Sequence, residues 1–253
     1  MRIDELAREN FKELSPFSTL RDEYGYSSKI LLDANESPYN NGYNRYPDPY
    51  SKKLKKVYSD ISGIPYDNLF AGNGSDEIID LLVRVFCEPR LDSILCLTPS
   101  YGMYKTSAAI NNIRCIEVPL NDDFSLDSAQ VLDQVEDGTK IIFLCSPNNP
   151  TGNSLIDSEV TNIISRFKGL VVVDEAYIDF SQNRSFASAI VQFENLIVIR
   201  TLSKAWGMAG LRVGFAIASK EVMAYLNKIK YPYNLSTLSQ EKAIELLLKG
   251  NTK

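Results

Sequence analysis

The sequence predicts an α/β fold with a mainly parallel sheet, and three observations support that class. Short β-branched runs alternate with segments of helical periodicity, which is the pattern of βαβ units. The predicted strands are apolar almost throughout, as are strands that are covered on both faces. The chain has 253 residues, enough to bury a substantial core in one large domain.

Four strands and two helices are predicted in chain order. The strands are 93–99, 140–146, 169–175 and 195–201. The helices are 75–87 and 157–167. In the first helix, Ile78, Leu81 and Val85 fall at helical spacing and form one apolar stripe. The first 40 residues have no clear period, and the chain contains no repeat or low-complexity linker.

Composition and charge narrow the classes of partner. Lys and Arg number 27 and Asp and Glu 32, so the net charge of −5 provides no basic surface for nucleic acid. We expect a small-molecule ligand instead. No apolar run approaches the roughly 20 residues that span a bilayer, and the N-terminus lacks the apolar core of a signal peptide. A cytoplasmic location is therefore expected, with no membrane partner.

Histidine and cysteine usage narrows the chemistry. The 253 residues include no histidine, so they cannot form a Ser-His-Asp or Cys-His site or an imidazole-ligated zinc site. The four cysteines are Cys87, Cys96, Cys115 and Cys145. They are not spaced closely along the chain as the ligands of a metal or the cysteines of a redox pair would be. We therefore expect reduced, mostly buried thiols and no metal.

A polar or aromatic residue follows each predicted strand. These residues are Tyr101, Asn149, Asp174 with Tyr177 three positions later, and Lys204. Ligands of open α/β sheets bind outside the carboxyl ends of the strands, so the five side chains are expected to converge on one site. Any one of them alone is more simply the start of a loop.

Together, these residue types match what pyridoxal 5'-phosphate requires. Lys204 supplies an amine for the aldehyde, and we expect this amine to be shielded from solvent. Asp174 keeps the ring nitrogen protonated, because a nearby carboxylate favours the charged form. Asn149 and Tyr177 donate hydrogen bonds to the phenolic oxygen. Tyr101 stacks on the ring.

The stretch GNGSDEIIDLL, residues 72–82, predicts a phosphate cradle. Its glycines allow close backbone approach, and Ser75 at the N-cap would present free amides and the positive end of a helix. Asp76 contributes an amide if its carboxylate points away. Further phosphate contacts are predicted from Thr201, Ser203 and Arg212. The alternative is ordinary capping with acidic residues in the first turn, which needs no ligand.

Five motifs, in this order along nearly the whole chain, resemble the pyridoxal-phosphate aminotransferases of fold type I, and most closely the histidinol-phosphate aminotransferase family. They are GNGSDEIIDLL, TPSYGMY, CSPNNPTG, VVVDEAYIDF and RTLSKAWGMAGLRVG. The resemblance implies a three-layer αβα sandwich with a mainly parallel seven-stranded sheet. It also implies a homodimer with sites at the subunit interface. The implied reaction, in histidine biosynthesis, is the reversible transfer of an amino group between two pairs of compounds: L-histidinol phosphate with 2-oxoglutarate, and imidazole acetol phosphate with glutamate.

The resemblance assigns the same roles to the residues already named. Lys204 matches the Schiff-base lysine, and Lys204, Asp174 and Tyr177 are the predicted catalytic residues. The predicted cofactor-binding residues are Tyr46, Ser75, Asp76, Tyr101, Asn149, Asp174, Tyr177, Thr201, Ser203, Lys204 and Arg212. Of these, Tyr46 matches a tyrosine that reaches the phosphate of the neighbouring subunit's cofactor. Asn35 lies in a segment that lines the substrate pocket. Phe17 stands where relatives often have tyrosine.

The resemblance also divides the chain. It implies an N-terminal arm at 1–30, a cofactor-binding domain at 31–253 and, beyond it, a small domain of roughly 100 residues, a usual domain size. That further domain would supply an arginine for the acid groups of the substrate. We therefore expect the 253 residues alone to bind the cofactor but to transfer amino groups poorly.

Other functions are compatible with the cofactor residues. A threonine-phosphate decarboxylase or an aromatic or broad-range aminotransferase would share them, because the substrate pocket decides the reaction. Substrate profiling separates these enzymes. A catalytically silent cofactor-binding module would bind cofactor without turnover, and a ligand-free fold would not bind it at all.

Overall fold

The computed structural model describes residues 2–18 and 32–250. Much of the predicted N-terminal arm, at 19–30, lies outside the described residues, as do Met1 and residues 251–253. Two short helices lie within residues 2–18, α1 (Ile3–Leu6) and α2 (Glu9–Lys12). They were not predicted, because a single turn has too few residues to show a period.

Seven strands form one sheet: β1 (Leu69–Asn73), β2 (Ser93–Thr98), β3 (Arg114–Pro119), β4 (Thr139–Cys145), β5 (Leu170–Asp174), β6 (Leu196–Thr201) and β7 (Val213–Ile217). Their order across the sheet is β1-β7-β6-β5-β4-β2-β3. The pairs from β6 to β3 are parallel, whereas β7 is antiparallel to both β6 and β1. The predicted mainly parallel sheet of seven strands is confirmed.

Helices cover both faces of the sheet: α3 (Lys52–Ser62), α4 (Gly74–Phe86), α5 (Met103–Ile110), α6 (Ser128–Asp133), α7 (Asp157–Arg166), α8 (Lys220–Ile229) and α9 (Thr237–Lys249). One core contains side chains of α3, α6, α7 and α9, and the other contains side chains of α1, α4, α5 and α8. Within β5, Val171 and Val173 belong to the first core and Val172 to the second. The three-layer αβα architecture is confirmed.

The four predicted strands and two predicted helices agree with the observed elements to within one residue at each end. Three strands, β1, β3 and β7, have weaker patterns and are not among the predicted strands. β1 ends in Gly72 and Asn73, β3 is a partly exposed strand at the edge of the sheet, and β7 contains Gly214. Glycine is required at 214, because a Cβ there would lie 2.6 Å from the Ser75 amide nitrogen.

All four cysteines are free thiols, and three of them are buried. The prediction of reduced, mostly buried thiols is confirmed, although two of the four lie close together in space. Cys96 on β2 and Cys115 on β3 place their Sγ atoms 3.3 Å apart. The strand register causes this proximity, because it places Ile94 directly opposite Cys115 and so puts Cys96 on the diagonal.

None of the helices within 2–18 and 32–250 is long and apolar enough to cross a membrane.

Candidate active site

A small cavity of about 60 Å³ lies where β4, β5 and β6 end and α4 begins. Its lining residues are Ser75, Asp76, Tyr101, Cys145, Asn149, Asp174, Ala176, Tyr177, Thr201, Ser203, Lys204 and Arg212. Ten of these were predicted as site residues from the sequence. Their convergence follows from the parallel pairing of β4, β5 and β6, which brings the carboxyl ends of these strands to one edge.

Asp174, the last residue of β5, is 2% exposed. Its Oδ2 accepts a hydrogen bond from the Tyr104 hydroxyl at 2.8 Å, and its Oδ1 accepts one from the Ala176 amide at 3.0 Å. Burial raises the pKa of Asp174 to about 6, while these two hydrogen bonds act to lower it. The carboxylate is therefore held in one orientation and is mostly ionised near neutral pH.

Asp76 connects the aromatic and cationic sides of the cavity. Its Oδ1 accepts from the Tyr101 hydroxyl at 2.9 Å, and its Oδ2 accepts from Arg212 Nη2 at 3.2 Å. Burial and the bond to Asp76 raise the pKa of Tyr101 to about 12. A phosphate that uses the Asp76 amide, as predicted from the sequence, requires this carboxylate to point away from the phosphate site. Instead it is paired with Arg212, so an anion must compete with it for the guanidinium.

Helix α4 begins at Gly74, with Asn73 as its N-cap, so the prediction of Ser75 as N-cap is wrong. The reason is tertiary as well as local. The Glu77 carboxylate accepts from the Asn73 amide and also from the side chain of Asn234, which fixes the helix start earlier. Ser75 and Asp76 lie in the first turn, where amides have no partner within the helix. They can still bind an anion.

Gly74 is required where α4 passes Arg212. Its φ is +78°, a conformation that L side chains rarely adopt, and an added Cβ would lie 2.5 Å from Arg212 Nη2. The guanidinium therefore lies directly over the start of the helix.

Hydroxyl groups complete this side of the cavity. Thr201 Oγ1, at the end of β6, donates to Ser203 Oγ at 2.9 Å and accepts from the Ser203 amide at 3.1 Å. Arg212 Nη1 donates to Ser203 Oγ at 3.4 Å. Thr201, Ser203 and Arg212, predicted as phosphate contacts, thus form one connected group.

Lys204 lies in the turn that follows β6, with its Nζ 5.4 Å from the centroid of the Tyr177 ring. The prediction of an amine shielded from solvent is wrong for the described residues, because Lys204 is exposed. It lies beyond the end of the strand, outside the two cores. Within residues 2–18 and 32–250, the side-chain amide of Asn149 and the Tyr177 hydroxyl have no hydrogen-bond partner. An amine and two polar groups are therefore available to a ligand.

A larger, more open cavity of about 760 Å³ contains the remaining predicted residues, Tyr46 and Asn35. Arg212 lines both cavities, so the two are neighbours. The Tyr46 ring stacks on that of Tyr233, with centroids 4.5 Å apart and planes at 15°. Asn35 is exposed, with a φ of 53°. The reach of Tyr46 to a neighbouring subunit stays a prediction.

Two residues at or beside the cavities are not among those predicted from the sequence. Tyr104 lies three positions after Tyr101 in TPSYGMY, at helical spacing, but its contact with Asp174 depends on how α5 packs against the sheet. Tyr233 lies in the short turn before α9, and no periodic signal marks it. Phe17 is exposed, and its carbonyl accepts from the Tyr50 hydroxyl at 3.1 Å.

The lining of the small cavity fits pyridoxal phosphate. It provides an amine for the aldehyde, a buried carboxylate for the ring nitrogen, and polar groups without partners for the phenolic oxygen. The start of α4, which leaves no room for a Cβ at Gly74 or Gly214, provides amides beside Arg212 for a phosphate.

Comparisons with known proteins agree with this fit. The family model of aminotransferase class I and II matches residues 24–252. The chain is 52% identical over 245 residues to the histidinol-phosphate aminotransferase of Parabacteroides distasonis, covering 97% of this chain and 71% of that protein. It is 49% identical over 255 residues to the enzyme of the same name from Cytophaga hutchinsonii, covering 99% and 73%.

A solved structure gives the same result at the level of the fold. Histidinol-phosphate aminotransferase from Sinorhizobium meliloti, in complex with pyridoxal-5'-phosphate, superposes with a TM-score of 0.75 at 25% identity. The superposition covers 81% of this chain and 56% of that one. The chain thus spans a little over half of that solved chain and about seven tenths of the two relatives. On the family match and these identities, the chain belongs to the class I and II aminotransferases and, within them, to the histidinol-phosphate aminotransferase family.

Proposed function

We propose that the protein catalyses the reversible transfer of an amino group between L-histidinol phosphate and 2-oxoglutarate, with imidazole acetol phosphate and glutamate as the other pair, in histidine biosynthesis. The observation that carries the proposal is the set of predicted site residues that line one cavity around the buried Asp174 carboxylate. The family and the names of the relatives support the same reaction.

Enzymes of this family use pyridoxal phosphate, and we assign its contacts residue by residue. Lys204 would bond the aldehyde, Asp174 would face the ring nitrogen, and Asn149 and Tyr177 would donate to the phenolic oxygen. The phosphate would be held by the Ser75 and Asp76 amides, Thr201, Ser203 and Arg212. When bound, the cofactor supplies an electron sink for the carbon that carries the amino group.

Asp174 would hold the proton on the ring nitrogen. Its two protein donors keep the carboxylate oriented and favour its charged form. A buried anion beside the nitrogen stabilises the positive charge there much more than water would. In this way Asp174 strengthens the electron withdrawal on which the reaction depends.

Lys204 would move the proton at the substrate carbon. It carries the only amine among the residues that line the small cavity. A group that transfers protons must reach the reacting atom directly or through one water. The exposed position of Lys204, at the end of a turn, leaves its long side chain free to do so.

The larger cavity would bind the rest of the substrate. It adjoins the small cavity through Arg212 and contains Asn35, the predicted substrate-binding residue.

We propose that a second copy of the chain forms a C2 homodimer and that Tyr46 reaches the cofactor phosphate of the partner copy, since closed two-fold dimers are the commonest assembly. Domain bounds of 31–253 for the cofactor-binding domain and a cytoplasmic location belong to the same proposal.

The test is covalent trapping followed by donor profiling. Borohydride reduction of the protein with pyridoxal phosphate is expected to fix the cofactor on the peptide that contains Lys204. Lys204→Ala should abolish the adduct, and Lys168→Ala, a change at an exposed lysine elsewhere, should leave it intact. A stable adduct on another lysine would contradict the site.

Donor profiling then tests the substrate. We expect glutamate formation from 2-oxoglutarate to be faster with L-histidinol phosphate than with aromatic amino acids. Release of carbon dioxide from L-threonine phosphate, without amino transfer, would make the protein a decarboxylase instead. Cofactor binding with no turnover of any donor would favour the silent binding module.

A further inference from the structure

Tyr104 lies behind the small cavity and is completely buried in the core. Its ring stacks on Phe143, with centroids 4.7 Å apart and planes at 12°, and meets Tyr101 edge-on at 5.7 Å. The hydroxyl donates to Asp174 Oδ2 at 2.8 Å. The tyrosine does not line either cavity and so cannot touch a ligand there. It acts on the site through the residues beside it: its ring meets Tyr101, and its hydroxyl interacts with Asp174 and with the Cys145 thiol.

We propose that Tyr104 is a positioning residue for Asp174. Its hydroxyl fixes the orientation of the carboxylate and stabilises the ionised form, so that an anion faces the ring nitrogen of the cofactor. The benefit to catalysis rests on the proposed function, whereas the effect on Asp174 itself does not.

The direction of the hydrogen bond supports this assignment. An ionised carboxylate can only accept, so the hydroxyl must donate. Burial, together with the charge of Asp174, raises the pKa of Tyr104 well above its usual value. The hydroxyl therefore keeps its proton near neutral pH.

The other groups around Asp174 show why a donor is needed. Burial opposes ionisation, and so do the negative charges of Asp76 on α4 and Glu175 next to it in the chain. The Cys145 thiol at the end of β4 and the Tyr101 hydroxyl contribute no positive charge, while Lys204 and Arg212 line the same cavity. The lowering effects come first from the Tyr104 hydroxyl and then from the Ala176 amide.

The size of the effect matters near neutral pH. With a pKa of about 6, the carboxylate is about nine tenths ionised at pH 7. Loss of one donor to a charged group is expected to raise the pKa by about one, which would leave only about half of the molecules ionised at that pH. With the Tyr104 hydroxyl, the Asp174 carboxyl group is mostly ionised at pH 7; without it, about half of these groups would be neutral.

Tyr104→Phe tests the hydroxyl alone, because phenylalanine keeps the stacking on Phe143. The measurement is the pH titration of isotope-labelled aspartate carboxyl carbons by NMR, on the protein without cofactor, with Asp174→Asn to assign the signal. The expected result is a rise of about one in the pKa of Asp174. With cofactor added, the acid limb of the affinity profile should move to higher pH by the same amount.

Tyr225→Phe is the matched control. Tyr225 is also buried, and its hydroxyl donates to Asp4 Oδ1 at 2.9 Å; neither residue lines either cavity. This variant removes the same kind of Tyr–Asp bond and should leave the titration of Asp174 unchanged.

An Asp174 titration that is the same in Tyr104→Phe and in the unaltered protein would overturn the proposal. If Tyr104→Phe fails to fold, a second measurement uses the unaltered protein. The NMR signal of the ring carbon that carries the Tyr104 hydroxyl is then recorded as the pH is changed. Its signal must shift as Asp174 titrates, and a constant signal would also overturn the proposal. Because the titration needs no cofactor, failure of the protein to bind pyridoxal phosphate would contradict the proposed function and not this result.

Discussion

The two neighbouring cavities are built in different ways. The small cavity is bounded by the ends of β4, β5 and β6, and its central carboxylate, Asp174, is 2% exposed. The larger cavity is bounded by the irregular segment 34–47 and by residues 233–239. Tyr46, within the first of these segments, is 50% exposed. The small cavity is positioned by the hydrogen-bond ladders of a sheet, and the larger cavity by hydrogen bonds of side chains.

The anchors of the segment near Tyr46 show the same contrast. Lys230, at the end of α8, donates to the Pro49 carbonyl at 2.6 Å. Gln240 on α9 donates to the Asp48 carbonyl at 3.2 Å. This segment is therefore held by the helices and not by the sheet. We expect changes at the strand ends to affect the chemistry strongly, and changes in the larger cavity to have milder effects.

Asp174→Asn should have the largest effect among these changes. An amide cannot supply the negative charge for the ring nitrogen, so we expect single-turnover rates to fall by about two to three orders of magnitude, at roughly 1.4 kcal/mol for each tenfold. The fold should be retained, as circular dichroism would show. Asp157→Asn, at an exposed residue of α7, is the control. An unchanged rate in Asp174→Asn would remove the strand-end carboxylate from the chemistry.

The difference in stability between the unaltered protein and Asp174→Asn should depend on pH. The pKa of Asp174 is raised in the folded state from 3.8 to about 6, so its ionisation destabilises the fold. Relative to Asp174→Asn, the unaltered protein should lose about 3 kcal/mol of unfolding free energy as pH rises from below 4 to above 6. Urea denaturation at several pH values measures this. A constant or increasing difference would contradict the burial argument.

Gly74→Ala should have an intermediate effect at the border of the two cavities. The added Cβ displaces Arg212 from the start of α4, and the positive φ adds strain. We expect about tenfold weaker cofactor binding and about 1 kcal/mol lower unfolding free energy. Gly102→Ala is the matched control, since nothing lies within 4 Å of its Cβ position. Equal cofactor affinity in the two variants would show that the phosphate is held elsewhere.

Tyr46→Phe should have the smallest effect. Phenylalanine keeps the stacking on Tyr233 and removes only the hydroxyl, so a lost hydrogen bond to phosphate should weaken cofactor binding about fivefold. Tyr233→Phe serves as the control. Light scattering on the same samples should show a dimer. A monomer that binds cofactor equally well with and without this hydroxyl would contradict the role of Tyr46.

The sequence by itself determined four of the seven strands of the sheet and most of the small cavity. The central strands are apolar on both faces, which marks them in any context, and parallel strands must bring their carboxyl ends to one edge. Residue order alone therefore assigns Asn149, Asp174 and Lys204 to one site. The family motifs assigned their roles, because pyridoxal phosphate requires an amine, an anion and donors in fixed relation.

Only the tertiary structure decided how the charges in that site are paired and shielded. The bond from Tyr104 to Asp174, the ion pair of Asp76 with Arg212, the helix start at Asn73 and the exposure of Lys204 depend on segments far apart in the chain. A local sequence pattern does not indicate such contacts, because the burial and the partners of a side chain depend on which other segments of the chain pack against it. A sequence pattern specifies which groups reach the edge of the sheet, and packing specifies how those groups are charged and oriented once they are there.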